Sequence, residues 1–161
     1  MATALGARAA GLPLPDAMLL MSPVLDLRCE LARARELRRR DPFASAQSAA
    51  RALDLYVGGA DRDDPRLSVL DADLTSMPPT LIQVGGREML IDDSRRLAER
   101  LQSAGSHVEI QVYRGQIHVF QAMFRILPEA RDAIHRAGRF LEASGLGESG
   151  RTGDAPPVPQ L

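Results

Sequence analysis

Residues 78–120 read PPTLIQVGGREMLIDDSRRLAERLQSAGSHVEIQVYRGQIHVF, and this stretch decides the fold. The apolar run 80–84 and the alternating run 108–113 are typical of β-strands, and a helical pattern separates them. The first strand is followed by a Gly-Gly turn with Glu88, and the second by a Gly-led loop with His118. Because loops that leave parallel strands meet at one edge of a sheet, we expect these two side chains to lie close together.

The rest of the chain extends this pattern in both directions. The apolar run Ala17 to Met21 predicts another strand, buried on both faces. Helices are predicted at three further places, namely 2–10, 44–57 and 128–141. The predicted inward positions are Ala49, Leu53, Tyr56 and Val57 in the second of these helices, and Ala133, Ile134, Ala137 and Leu141 in the third. The order indicates an α/β fold with about three parallel strands flanked by helices.

Three shorter features complete the prediction. Asp92 or Asp93 is expected to cap the helix after the Gly-Gly turn, and Gly105 to end it. The apolar segment 119–126 is predicted to be helical. The Gly- and Pro-rich residues 145–161 are predicted to form a disordered tail.

Composition excludes several classes of function. The chain has 161 residues, of which 45% are hydrophobic and 25% charged, and its net charge is −1. That balance is typical of a soluble globular domain and argues against a nucleic-acid partner. No run is long and apolar enough for a membrane span, and the first residues make a poor signal peptide, so we expect a cytoplasmic protein. The single cysteine, Cys29, excludes an intramolecular disulfide, and no metal or cofactor is implied.

His118 and Glu88 are the candidate catalytic residues on position alone. A histidine after a strand is placed to act as a base, and a carboxylate near it can fix its tautomer. The alternatives are a loop or capping histidine and a surface glutamate. For His107 and His135, in a turn and on a surface helix, we expect no chemical role. Spacing alone leaves the choice between Glu88 and its neighbouring acids open.

Several segments together resemble the hormone-sensitive-lipase-like esterases of the α/β-hydrolase fold. They are SPVLDL (22–27), DPF (41–43), YVGGAD (56–61), MPPTLIQVGGREMLIDDSRRLAERL (77–101) and GQIHVFQAM (115–123). In that family the triad acid opens a D-P-L-x-D-E-like motif, which EMLIDD (88–93) matches position by position. The resemblance therefore implies that Glu88 is the triad acid, Asp92 is the motif's second acid, and His118 is the triad histidine.

The same resemblance implies that parts of an esterase are missing from these 161 residues. Neither the G-x-S-x-G of the nucleophile nor the H-G-G-G of the oxyanion hole occurs in the sequence. We therefore expect the C-terminal portion of a hydrolase domain over 1–144, with part of a helical cap at about 31–61. The complete enzyme would take a small acyl ester as its substrate. The chain alone is expected to be inactive.

Two other interpretations remain open at this stage. The chain could be a non-catalytic remnant that binds or dimerises, with a homodimer formed through the last strand (108–113) and the final helix (128–141). It could instead be a flavodoxin-like domain, but the sequence after the first strand, Ser22-Pro23-Val24-Leu25, is not a phosphate loop. The first strand would leave one edge unpaired, and such an edge favours association.

Overall fold

The fold is a three-stranded parallel sheet with helices on both faces. A computed structural model describes residues 1–62, 64, 67 and 69–146. The helices are α1 (Ala2–Ala9), α2 (Glu30–Glu36), α3 (Ala46–Val57), α4 (Ile91–Ser103) and α5 (Pro128–Leu141), and the strands are β1 (Met18–Met21), β2 (Thr80–Gly85) and β3 (Val108–Tyr113). The prediction of parallel strands flanked by helices is confirmed.

The central strand β2 is fully buried because it has a neighbour on each side and a helix layer on each face. Ile82 points to one face and packs with Leu97 and Leu101 of α4. Gln83 points to the other face, where its side-chain amide donates to the carbonyl of Ala133 in α5 at 2.7 Å. This alternation follows from the two-residue period of a strand. The central strand is therefore packed on both faces up to Gly85, where the loop that carries Glu88 begins.

β1 differs from its prediction, which placed it between two covered faces. Of its four residues only Met18 is buried, and the other three are partly exposed. The reason is that β1 pairs with β2 on one side, while its other edge has no partner strand among the described residues. The expectation that β1 is buried on both faces is therefore wrong.

Two helices bury fewer of their side chains than predicted. α3 packs through Ala46, Ala49 and Leu53 onto a small cluster, so Tyr56, which lies to one side, is 67% exposed instead of inward. In α5 the small side chains face the sheet, whereas Ile134 remains 39% exposed because β3 is the last strand of the sheet.

The segment 119–126 and the chain's end also differ in detail. Only Phe120–Met123 is helical, as one 3-10 turn, because Val119 has a left-handed backbone (φ 47°) that starts the segment with a sharp bend. Residues Glu142–Leu146 form a last irregular turn that takes in the first two residues of the predicted tail 145–161, and residues 147–161 lie outside the described residues. No helix among the described residues is long and apolar enough to cross a membrane.

Candidate active site

Glu88 and His118 are in contact at the carboxyl edge of the sheet. Nδ1 of His118 lies 3.0 Å from Oε2 of Glu88. The Glu88 side chain is fully buried, whereas that of His118 is 27% exposed. The two residues are 30 positions apart, and the parallel pairing of β2 with β3 brings their loops together.

The contact fixes the hydrogen on the imidazole. A carboxylate has only acceptor atoms, so the hydrogen shared with Glu88 belongs to Nδ1 of His118. In the neutral ring, Nε2 is then an acceptor, and no hydrogen bond engages it among the described residues. A histidine in this state can take a proton from a hydroxyl group, which is the task of a general base.

The buried carboxylate of Glu88 has two further donors on its other oxygen. The hydroxyl of Ser22 donates to Oε1 at 2.7 Å, and the backbone N–H of Gly85 donates to the same atom at 2.5 Å. A buried charge is tolerated only when it is paired or hydrogen-bonded, and these bonds meet that need. With Nδ1 of His118, the Glu88 carboxylate has three donors. Ser22 follows β1, Gly85 is the last residue of β2, and His118 lies in the loop after β3.

Gly85 permits the close approach of the histidine loop to the end of β2. A Cβ atom built at this position would lie 2.5 Å from the carbonyl oxygen of Gln116 and 2.7 Å from that of Ile117. The next N–H groups tie the loops together, since Gly86 donates to Tyr113 and Arg87 donates to Gln116. The Gly-Gly turn is thus needed for space, because a side chain would separate the acid from the histidine.

One arginine of α2, Arg35, bonds this helix to the loop that carries Glu88 (the acid loop). Arg35 donates through Nε to the Glu88 carbonyl at 3.0 Å and through a terminal nitrogen to the Gly86 carbonyl at 3.3 Å. Its guanidinium also lies 4.0 Å from the carboxylate of Asp92. These bonds satisfy two carbonyls of the loop and link it to α2.

The segment 41–43 contributes a second support and a wall. Asp41 is buried and accepts hydrogen bonds from the N–H groups of Met89 and Phe43, both at 2.8 Å. The ring of Phe43 lies 5.6 Å from the imidazole of His118, centre to centre. Asp41 therefore places an aromatic ring beside the candidate base.

The two acids after Glu88 do not cap α4 as predicted. The helix begins at Ile91, and its N-cap position is Leu90 without a side-chain bond. Asp93 is instead buried and accepts from the backbone N–H groups of Leu25 and Asp26 at 2.9 and 3.0 Å. Burial raises the pKa of Asp93 to about 6, although these two hydrogen bonds act in the opposite direction. Asp93 thus anchors the loop after β1.

Of the remaining candidates, the two histidines lie on exposed surfaces, and Cys29 packs in a buried cluster with Met89 and Leu90 of the loop after β2. His107 and His135 are exposed, and His107 stacks on Phe140 at 6.4 Å. Cys29 is buried next to α2, and burial raises the pKa of its thiol, which disfavours the reactive thiolate. Within the described residues there is no cluster of side chains suited to a metal ion.

The sequence reasoning missed Ser22, Arg35 and Asp41 as site residues. Ser22 carried a usable signal, because it directly follows a predicted strand as Glu88 and His118 follow theirs. Asp41 and Arg35 had no comparable signal, since their bonds go to backbone groups of the acid loop.

Comparison with known proteins gives a consistent result. Residues 1–122 match the family model described as the alpha/beta hydrolase fold. An acetyl-hydrolase of Streptomyces hygroscopicus is 39% identical over 141 residues, which cover 87% of this chain and 47% of the relative. An esterase of Acinetobacter venetianus is 34% identical over 134 residues, covering 83% of the chain and 44% of the relative.

Solved structures agree with these relatives. An esterase from the bacterial hormone-sensitive lipase family superimposes with a TM-score of 0.83 at 36% identity, covering 89% of this chain and 48% of the other. A hormone-sensitive lipase from a metagenome library gives 0.81 at 34% identity, with 89% and 49% covered. The chain therefore spans about half the length of the proteins it matches.

Proposed function

Because this chain belongs to the alpha/beta hydrolase fold family, we propose that it carries the acid and the histidine of a serine-type ester hydrolase. Glu88 would be the acid and His118 the base. The observation that carries the proposal is the 3.0 Å contact between a fully buried carboxylate and a partly exposed imidazole. The resemblance to esterases and acetyl-hydrolases supports a small acyl ester as the substrate.

The geometry supports different roles for the two residues, with His118 transferring the proton and Glu88 orienting His118. Nε2 of His118 would accept the proton of the serine hydroxyl as that oxygen attacks the ester carbonyl. The same nitrogen would return the proton to the departing alcohol. Glu88 would keep the ring in its Nδ1–H tautomer and stabilise the imidazolium that forms between these steps. The developing oxyanion would need backbone N–H donors from outside the described site.

The serine must come from residues other than those at this edge. The 161-residue sequence has no G-x-S-x-G, and its relatives are about twice as long. We place the serine-bearing half of the fold against the free edge of β1. An apolar groove of about 300 Å³ lies beside that strand, lined by residues that include Met1, Leu20, Val24 and Leu53. A groove of this composition supports the docking of another apolar element.

Residues 1–144 would then form the C-terminal portion of the hydrolase domain, and 31–61 part of its cap. Support for the cap comes from α2 and α3. α2 bonds to the acid loop through Arg35, and the segment between them puts Phe43 beside His118. Both contacts lie at the carboxyl edge of the sheet, next to Glu88 and His118.

Ester hydrolysis by a chimera tests this proposal. The N-terminal half of the Streptomyces acetyl-hydrolase, up to its first matched residue, is fused to this chain and assayed with p-nitrophenyl acetate. The chimera should hydrolyse the ester, and His118→Ala should lower turnover by several orders of magnitude, up to about 10⁶-fold. His135→Ala is the matched control, because that histidine is exposed on α5 and should leave turnover unchanged.

The chain without its fused half should show no hydrolysis above the buffer rate. Two results would contradict the proposal. One is hydrolysis by the chain alone that His118→Ala abolishes, which would require a nucleophile within these residues. The other is a folded, active chimera whose turnover does not depend on His118 or on Glu88.

A second candidate function is dimerisation through the last strand and the final helix, without catalysis. The observation in its favour is the exposure of two apolar side chains there, Val112 at 42% and Ile134 at 39%. Sedimentation of the chain and of the double variant Val112→Lys and Ile134→Lys separates the cases. A parent dimer that becomes a monomer supports this interface, and a monomeric parent argues against it.

A further inference from the structure

We propose that Ser22 is the residue that positions the acid and the histidine relative to each other. This inference rests on the proposed function, because it names a further residue of the same site. The hydroxyl of Ser22 donates to Oε1 of Glu88 at 2.7 Å and accepts from the backbone N–H of Val119 at 3.1 Å. Val119 directly follows His118. One hydroxyl therefore joins the acid to the loop that carries the base.

The position of Ser22 explains how a single side chain reaches both partners. Its N–H donates to the Gln83 carbonyl at 2.8 Å, so it continues the pairing of β1 with β2 by one residue. The side chain is 3% exposed. Ser22 follows β1, Glu88 follows β2 and His118 follows β3, so the hydroxyl connects the loops of all three strands.

The backbone shows that this arrangement is maintained at a cost. Ser22 and Val119 have φ values of 49° and 47°, in the left-handed region that residues other than glycine rarely adopt. Each such residue costs energy, and the two are joined by the hydrogen bond from Val119 to Ser22. If only the turn mattered, glycine would serve better at position 22. Serine is better only where the hydroxyl is used.

The hydroxyl also determines which carboxylate oxygen of Glu88 is left to bond the histidine. Oε1 is occupied by Ser22 and Gly85, which leaves Oε2 for Nδ1 of His118. A carboxylate bonded on both oxygens is held against rotation about its last side-chain bond. Without the Ser22 hydroxyl the carboxylate keeps one donor on Oε1, from Gly85, and the backbone N–H of Val119 loses its bridge to the acid, so the bond from Nδ1 of His118 is left as the side-chain link between the two residues. The tautomer of His118 should then no longer be unique.

The test compares two substitutions that remove the hydroxyl but differ in backbone strain. Ser22→Ala keeps the strained φ, and Ser22→Gly relieves it. Each variant of the full chain is labelled with ¹⁵N, and long-range ¹H–¹⁵N spectra report the tautomer of His118. Amide hydrogen exchange of Val119 is measured in the same samples. Ser94→Ala is the matched control, because Ser94 is also fully buried and its hydroxyl has no hydrogen-bond partner among the residues that the structure describes.

The parent and Ser94→Ala should show one His118 tautomer, with the hydrogen on Nδ1. Both Ser22 variants should show a mixture of tautomers and about tenfold faster exchange at Val119, as expected for the loss of one hydrogen bond. A single unchanged tautomer in a folded Ser22 variant would overturn the proposal. If Ser22→Ala does not fold, Ser22→Gly decides alone. These measurements need neither an ester nor the nucleophilic serine, so their failure is distinct from failure of the chimera to hydrolyse an ester.

Discussion

Replacing Gly85 by alanine should separate the acid from the histidine by a predictable distance. The new Cβ would lie 2.5 Å from the Gln116 carbonyl oxygen and 2.7 Å from that of Ile117. Real Cβ atoms essentially never approach other atoms within 3.0 Å, so the backbone around Gln116 must move by at least about 0.5 Å. Both obstructing atoms belong to the main chain, and a side-chain rotation cannot relieve the contact.

This displacement acts on a hydrogen bond that has little length to spare. Nδ1 of His118 is 3.0 Å from Oε2 of Glu88, and N–H···O bonds extend to about 3.2 Å before they weaken. A loop shift of half an ångström away from β2 therefore breaks or strongly weakens the bond. Overpacking of this kind costs about 1–3 kcal/mol of unfolding free energy.

Urea unfolding and the His118 tautomer measure the two effects separately. Gly85→Ala should lower the unfolding free energy by about 1–3 kcal/mol and give mixed tautomers. Gly138→Ala is the control, since that glycine lies within α5 with open space around its Cβ position. The control should be stabilised by about 0.5–1 kcal/mol. An unchanged stability together with a single tautomer in Gly85→Ala would refute the claim that this glycine sets the approach of the two loops.

Three further changes test other supports of the site by urea unfolding. Burial raises the pKa of Asp93 to about 6, above the value near 3.9 of an unfolded chain, so the folded state becomes less favoured as pH rises from 4 to 6. Asp93→Asn should remove this fall in unfolding free energy between pH 4 and 6 and be up to about 3 kcal/mol more stable than the parent at pH 7. If the unfolding free energies of parent and variant change with pH in parallel, the prediction is contradicted. Asp41→Ala should cost about 1–3 kcal/mol because the buried N–H of Met89 loses its acceptor, whereas Asp41→Asn keeps one, and equal losses in both variants would point elsewhere. Phe120 is fully buried between β3 and α5, so Phe120→Ala should lower the unfolding free energy by about 3–5 kcal/mol. A loss under 1 kcal/mol would contradict this and show that the surrounding residues fill the space left by the ring.

The elements and their order could be predicted because they depend on local pattern. β2 and β3 have the β-branched and alternating residues of strands, and α4 has the spacing of a helix that ends at a left-handed glycine. The parallel order then follows from the alternation of strands and helices. Since Glu88 and His118 lie in the loops that follow two neighbouring strands, their meeting at one edge was also predictable from the sequence.

The supports of the site were not predictable, because they are hydrogen bonds between distant segments. Asp93 has the composition and place of a helix cap, yet its carboxylate bonds to N–H groups 67 and 68 positions earlier in the chain. Arg35 lies in a run of charges that suits a solvated helix equally well. Local pattern cannot separate these cases, since each depends on how two loops are placed in the finished fold.

The described residues orient two members of the proposed triad, the acid and the histidine, but not the serine. Among the described residues, the hydrogen bonds on the Glu88 carboxylate and on the ring of His118 come from Ser22, Gly85 and the pair itself. Their loops leave three neighbouring strands whose pairing is internal to the chain. The acid and base are therefore oriented before any serine is supplied. It follows that the activity of a chimera should be limited by how accurately its serine half docks on β1, and that removing the link at Ser22 should lower turnover even where docking is perfect.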